Sequence, residues 1–437
     1  MERYLMTELI GWKNSHRRKP IIIHGARQVG KTWLLKEFGK RHFDNTAYVN
    51  FDSNMAMQQL FEEGYDIARL LTGIQAETNE RIIAGRTLII FDEIQECPKA
   101  LTSLKYFSEN APEQMIAAAG SLLGLAVHQG TGYPVGKVTT LDLYPLSFRE
   151  FLDAVGGQML RELIDANDRS AMASFSSKLV SLLRQYYFTG GMPEAVEAFT
   201  ESGILEDARR IQSQILSDYR RDVFKHLTAR ETEFTLAAWD SIPAHLGKEN
   251  RKFIFGNIRD GARGRDYRAA LTWLVEAGLA HRVRRVAKPG VPLTAYADNS
   301  AFKFFALDVG LLGAMANLDS SSVISGSHVF EEFKGALTEQ YVCQQLVSDC
   351  KLQPFYWSSE NSRGEIDFLV QDNGQIYPIE VKAEENLRSK SLRTFSEKHE
   401  HTYPRRFSLS GFRNEGWMSN IPLYAIGNKD AWHFLAN

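Results

Sequence analysis

The chain has 437 residues, 44% hydrophobic and 24% charged, a length that divides into several domains and a composition that excludes collagen-like and disordered classes. Its 51 Lys and Arg against 53 Asp and Glu leave a net charge of -2, so no chain-wide basic field exists and any nucleic-acid contact is confined to local patches. The start, MERYLMTELIGWKNSHRRKP, has no unbroken apolar core, and the most apolar run, 115–127, is shorter than the roughly 20 residues of a membrane helix, which predicts a cytosolic (cytoplasmic) protein without a membrane span. Cys97, Cys343 and Cys350 form no disulfide or zinc pattern.

Up to about Pro145, short β-rich runs (PIIIHG, TAYVNFD, TLIIFDE, QMIAAAGS, VTTLDL) alternate with helical segments, the pattern of an α/β core, residues 1–145, with a parallel sheet and crossover helices. Gly25-Ala26-Arg27-Gln28-Val29-Gly30-Lys31-Thr32 fills the whole G-x-x-x-x-G-K-[ST] pattern, between a strand (PIII) and a helix (TWLLKEF) that Gly39 is expected to stop. This is the phosphate loop of a P-loop NTPase: its glycines let backbone N–H groups converge on phosphate oxygens, and the new helix adds its positive dipole end. Lys31 is expected to reach the β- and γ-phosphates of ATP, and Thr32 to bind Mg²⁺. In TLIIFDE an apolar strand carries Asp92 and Glu93 to the carboxyl edge of the sheet, Asp92 to hold Mg²⁺ through water and Glu93 to orient the attacking water. The next strand ends at Ser121, which suits either a γ-phosphate sensor or the N-cap of the following helix.

Residues 146–235 show helical periodicity and read as a lid or linker. Within them Arg220 and Arg221 are candidates for an arginine finger or for helix-surface ion pairs. In residues 236–316, helices lead into two β-rich runs around KPGVP, a winged-helix-like order. From Asn250 to Gly290 ten Lys or Arg face three acids, with Phe253, Phe255, Tyr267 and Trp273 interleaved. Such a patch suits DNA or RNA phosphates, or equally domain packing. Ser-rich residues 317–328 mark a boundary.

The phosphate loop, TLIIFDEIQECPKAL, AAAGS, PVGKVTTLDLYPLSFREF, YYFTGGMPEAV and FKFFALDVGLL together resemble the bacterial and archaeal AAA-type ATPases whose C-terminal part is classed as domain of unknown function 4143. The resemblance implies an ATPase core, a winged-helix-like segment and a restriction-endonuclease-like C-terminal domain. Where that family is expected to carry Gly-Arg, this chain has Gly136-Lys137; a Lys keeps the charge and loses the bidentate fork.

Residues 329–437 read as helix, three β-runs, helix and strand, the order of a PD-(D/E)XK nuclease-like domain. Asn373-Gly374 predicts a type I′ hairpin turn that sets Asp367 opposite Glu380, a repulsive pair unless a cation joins them. Asp367, twelve residues, then Glu380-Val381-Lys382 is a D-x(n)-E-x-K signature. Asp367 and Glu380 are expected to bind a second Mg²⁺ or Mn²⁺, Lys382 to position or deprotonate the attacking water, and Glu339, on an apolar helix face, to complete the site. Lys390 and Arg393, with Arg388, are candidates for holding a nucleic-acid backbone. The chain thus reads as an ATPase coupled to a nucleic-acid-directed module with a metal-dependent nuclease, or as a nucleotide-controlled switch whose C-terminal domain binds DNA or protein without cutting. ATP and ADP are its expected ligands, and homo-oligomers stay open.

Overall fold

In a computed structural model, residues 1–121, 133–248, 251–320, 328–359, 364–383 and 389–432 are described, with the backbone alone for 328–332. Arg388 and most of the Ser-rich boundary therefore lie outside the described residues. The chain divides into two units, Glu2–Tyr144 with Glu276–Gly278, and Pro145–Val275 with Leu279–Asn437.

The first unit is built on β1 (Ile21–His24), β2 (Asn45–Asn50), β3 (Thr87–Asp92), β4 (Met115–Ala119) and β5 (Thr139–Asp142). They form one sheet in the order β2-β3-β4-β1-β5, with every pairing parallel. Parallel strands covered by crossover helices are apolar on both faces, which is why TLIIFD and MIAAA are buried at every residue. On one face the rings of Phe51, Phe61 and Phe91 meet edge to face around Ile22, Ile89 and Ile116. The chain leaves β1 for the far edge, returns through β3 to β4, and then crosses to β5 on the other side of β1. That reversal opens a crevice at the carboxyl end of β1, where ligands of such sheets bind. The helix after the phosphate loop spans Lys31–His42 and passes through Gly39 instead of stopping there. A Cβ at Gly39 would collide with the Thr46 hydroxyl on β2, so this glycine serves close helix-to-sheet packing and not a cap.

The second unit begins with helices, among them Phe148–Ala154, Ser176–Thr189, Leu205–His226 and Ala229–Asp240, and continues into an eight-stranded mixed sheet. Its strands are β6 (Ala280–Val286), β7 (Ala297–Ala306), β8 (Phe355–Ser358), β9 (Glu365–Asp372), β10 (Gln375–Val381), β11 (Arg405–Ser408), β12 (Arg413–Asn414) and β13 (Ser419–Pro422), in the order β12-β13-β11-β10-β9-β8-β6-β7. The expected sequence of helix His328–Ser348, β8, β9, β10, helix Lys390–Lys398 and β11 is present. The β6–β7 hairpin, read from sequence as a wing, follows the helix Gly264–Glu276 and lies in that same sheet, β6 running parallel to β8. Val286 and Leu293 of this hairpin share a core with Phe355, Ile366, Leu369 and Phe395.

The TGGMPEAV and LDVGLL segments meet in the interior of this unit. Asp308 caps the helix Val309–Met315 by accepting from Gly310 and Leu311 N–H, and also accepts from Gly191 N–H (2.7 Å) and Gln344 Nε2 (2.9 Å). Gln344 returns its carbonyl to Val309 N–H (2.9 Å), and Gln340 pairs both with the N–H and with the C=O of Ala306 (2.8 Å each), so the helix carrying Glu339 is pinned to β7. Gly190 sits at φ 67°, ψ -163°, a region open essentially to glycine alone, and a Cβ there would run into the Asp308 carboxylate. Gly190→Ala is therefore expected to lower the unfolding free energy by about 3 kcal/mol, measured as a fall in the denaturant midpoint.

Candidate functional site

Strand β1 runs straight into the phosphate loop, and the loop closes onto the Lys31–His42 helix with Gly30 left-handed at φ 92°. A side chain at Gly25 would collide with the Leu143 carbonyl, so the loop lies tightly beneath the end of β5. Ala26 and Val29 are buried, Arg27 is half-buried and Gln28 is exposed with φ 64°. Arg3 clasps the loop from below, its guanidinium donating to the carbonyls of Val29 (2.9 Å) and Tyr144 (2.6 Å).

Lys31 is 8% exposed, and its ammonium donates to the carbonyls of Gly25 (3.0 Å) and Ala26 (2.7 Å). Burial pulls its pKa down to about 8, partly opposed by the nearby Glu93 and Asp92. Asp92, at the end of β3, is buried and accepts the Thr32 hydroxyl (2.8 Å) and the Tyr48 hydroxyl (2.8 Å) on one oxygen and Glu93 N–H (3.1 Å) on the other. Glu93 stands in a left-handed conformation at φ 50°, and Gln95 donates to its carboxylate. Ser121 is buried just beyond β4, where Gly120 N–H reaches the Ile23 carbonyl of β1 (3.4 Å). The oxygen donors of Thr32 and Asp92 suit Mg²⁺, and the glycine cradle with a buried cation suits a triphosphate, so these residues fit both. Arg3, Tyr48 and Gln95 escape a sequence reading because no motif spacing marks them; only the sheet order brings β2 beside β3. Lys137 forms an ion pair with Glu109 (2.9 Å).

In the second unit the hairpin has the expected register: Asp372 pairs with Gln375 and Phe368 with Ile379, around Asn373 (φ 48°) and Gly374 (φ 77°). Both turn residues have positive φ, as a type I′ turn requires. Phe368 with Ile379 is the last pair of this ladder, and Asp367 and Glu380 follow it directly on the two strands. Asp367 accepts from Val381 N–H (2.8 Å), and Lys382 lies 2.7 Å from one oxygen of the 8% exposed Glu380. The other Glu380 oxygen is buried and has no hydrogen-bond partner among the described residues.

Glu339 is held elsewhere. It is 2% exposed, its ion-pair partners are Arg251 and Lys303 (3.6 Å), and the fully buried Lys303 also meets Glu365 of β9 (2.6 Å). The cations that an apolar-face carboxylate demands thus come from β7 and from the segment that follows the helix Ile242–Leu246, not from Lys382. Among the described residues no group of three or more His, Cys, Asp or Glu is placed to hold a metal ion, so the expected three-carboxylate set does not assemble. His399 packs against Phe395 and Trp357.

Much of the expected basic patch is used internally: Arg251 pairs with Glu339, Arg259 with Glu233 and Arg285 with Asp298, while Arg282 and Arg284 lie over the rings of Phe302 and Phe355. Arg263, Arg268 and Lys288 are exposed. Arg220 and Arg221 form surface ion pairs with Asp240 and Asp218, and Arg393 pairs with Glu397. Among the described residues no helix is long and apolar enough to cross a membrane.

A parallel sheet whose β1 feeds a glycine-cradled lysine, beside an acidic β3, defines a P-loop NTPase core. Residues 17–152 match the family described as AAA domain, residues 180–322 a domain of unknown function (DUF8612), and residues 334–415 a domain of unknown function (DUF4143). The chain thus joins an AAA domain to a C-terminal domain of unknown function 4143. No curated protein matches it. Among solved structures it is similar to the Walker-type ATPase PABY2304 of Pyrococcus abyssi, at 12% identity over 72% of this chain and 95% of that one, TM-score 0.43. It is also similar to the Aeropyrum pernix ORC1 protein in complex with DNA (13% identity, 72% and 90% coverage, TM-score 0.28) and to Cdc6p from Pyrobaculum aerophilum (13%, 74% and 92%, TM-score 0.26).

Proposed function

We propose that this protein binds and hydrolyses ATP and that its nucleotide state governs a nucleic-acid-directed C-terminal unit. The observation carrying the ATPase reading is the meeting of the two motifs: the Thr32 hydroxyl donates to Asp92 at 2.8 Å while Lys31 stands buried at the loop mouth. Lys31 and the loop N–H groups bind the phosphates, Thr32 and Asp92 hold Mg²⁺, and Glu93 orients water for attack on the γ-phosphate. When bound, Mg²⁺ supplies positive charge that offsets the charge developing on the phosphate oxygens. Ser121, buried at the end of β4, would read the γ-phosphate. No covalent intermediate is needed, because positioning and charge do the work in this chemistry.

For the C-terminal unit, Asp367 and Glu380 would hold a Mg²⁺ or Mn²⁺ ion with Lys382 beside the attacking water, a nuclease assignment supported by the hairpin register and by the unpartnered Glu380 oxygen. A second reading has its own observation. Lys382 already neutralises Glu380, and Arg251 with Lys303 neutralises Glu339, an arrangement suited to a unit that binds DNA or protein without cutting.

One incubation tests both halves. Purified protein with ATP and single- or double-stranded DNA or RNA is expected to release phosphate in Mg²⁺ but not in EDTA. In Mg²⁺ or Mn²⁺ it is also expected to cleave nucleic acid, and the Asp367→Ala/Glu380→Ala variant is expected to lose the cleavage while keeping phosphate release. Cleavage equal in the two folded proteins removes the nuclease assignment, and absence of phosphate release removes the ATPase one.

A further inference from the structure

We propose that Tyr48 is a positioning residue of the nucleotide site, its hydroxyl fixing which lone pair of Asp92 is left to receive the hydrated divalent cation that accompanies ATP. The proposal rests on the ATP-binding reading above. A carboxylate offers about four lone-pair directions. On Asp92 three are taken: the hydroxyls of Thr32 and Tyr48 both donate to Oδ2 at 2.8 Å, and Glu93 N–H donates to Oδ1 at 3.1 Å. Two donors fill Oδ2, so the open direction belongs to Oδ1. The Thr32 hydroxyl has a single proton, and with that proton on Asp92 its own lone pairs turn away from the carboxylate, toward where a cation would be bound. Without the phenol, Oδ2 regains an open lone pair and the carboxylate acquires two competing directions.

The phenol is itself braced. Pairing of β2 with β3 sets Tyr48 beside Ile90 and Asn50 beside Asp92, and alternation along the strand puts Tyr48 and Asn50 on one face. The Lys36 ammonium, one helical turn beyond Thr32, lies 3.8 Å from the centre of the Tyr48 ring. Tyr48→Phe removes the hydroxyl and leaves the ring.

The test is calorimetric titration of the full chain with ATP, in EDTA and over a series of Mg²⁺ concentrations. Tyr48→Phe is expected to match the parent in EDTA and to need about tenfold more Mg²⁺ to reach half of the Mg²⁺-dependent gain in affinity, the size expected for one lost hydrogen bond to a charged group. A merely structural tyrosine would instead weaken binding equally in EDTA and Mg²⁺ and lower the melting temperature, and that result overturns the proposal. So does a Mg²⁺ requirement equal to the parent's, which leaves the ATP-binding reading standing. A parent chain that binds no ATP in either condition overturns the ATP-binding reading and this proposal with it.

Discussion

Glu93→Gln is expected to bind ATP as tightly as the parent and to hydrolyse it about 10²- to 10⁴-fold more slowly, the range found when a positioned general base is removed. The amide keeps the size and shape of the side chain and can still meet Gln95, so the local turn survives. It loses the negative charge that draws a proton from water. The position is demanding in itself, since Glu93 holds a left-handed backbone immediately after β3. Phosphate release at the parental rate in a variant that binds ATP normally would remove Glu93 from the reaction and leave Asp92 as the acid of this site.

Lys31→Ala is expected to weaken ATP binding by on the order of 100-fold or more, the cost of removing one partner of a buried charge pair. The lysine is already dehydrated before nucleotide arrives, held by two loop carbonyls, so part of the cost of burying it is met on folding. The same burial yields a pH signature. With its pKa at about 8, Lys31 is partly deprotonated in mildly alkaline solution, and a bound triphosphate would raise that pKa again. Binding then takes up a proton, so affinity is expected to fall as pH rises through about 8. Titrations in buffers of different ionisation enthalpy would show that uptake in the parent and not in Lys31→Ala.

The phosphate loop was legible because it is local: strand, glycine turn, lysine and helix lie within a dozen residues, and each has a fixed stereochemical duty. The hairpin around Asn373-Gly374 was legible for the same reason, since two left-handed residues set the register of both strands. Glu339 was half legible. Its apolar neighbours correctly announced a buried carboxylate in need of a cation, but the spacing could not say which cation. Gly39 misled because one residue type serves two purposes, and its use in close packing against β2 depends on a strand that only the fold brings near.

By itself the sequence determined that this protein has a P-loop core, a helical middle and a C-terminal mixed α/β region, because apolar periodicity and turn chemistry are short-range quantities. Tertiary structure alone decided that the β6–β7 hairpin joins the C-terminal sheet, that Lys303 and Arg251 answer Glu339, and that Tyr48 reaches Asp92. Each of those is a pairing between strands or helices far apart in the chain. Such pairings are set by which surfaces can be buried together and which buried charges must be neutralised, conditions that no single stretch of sequence carries.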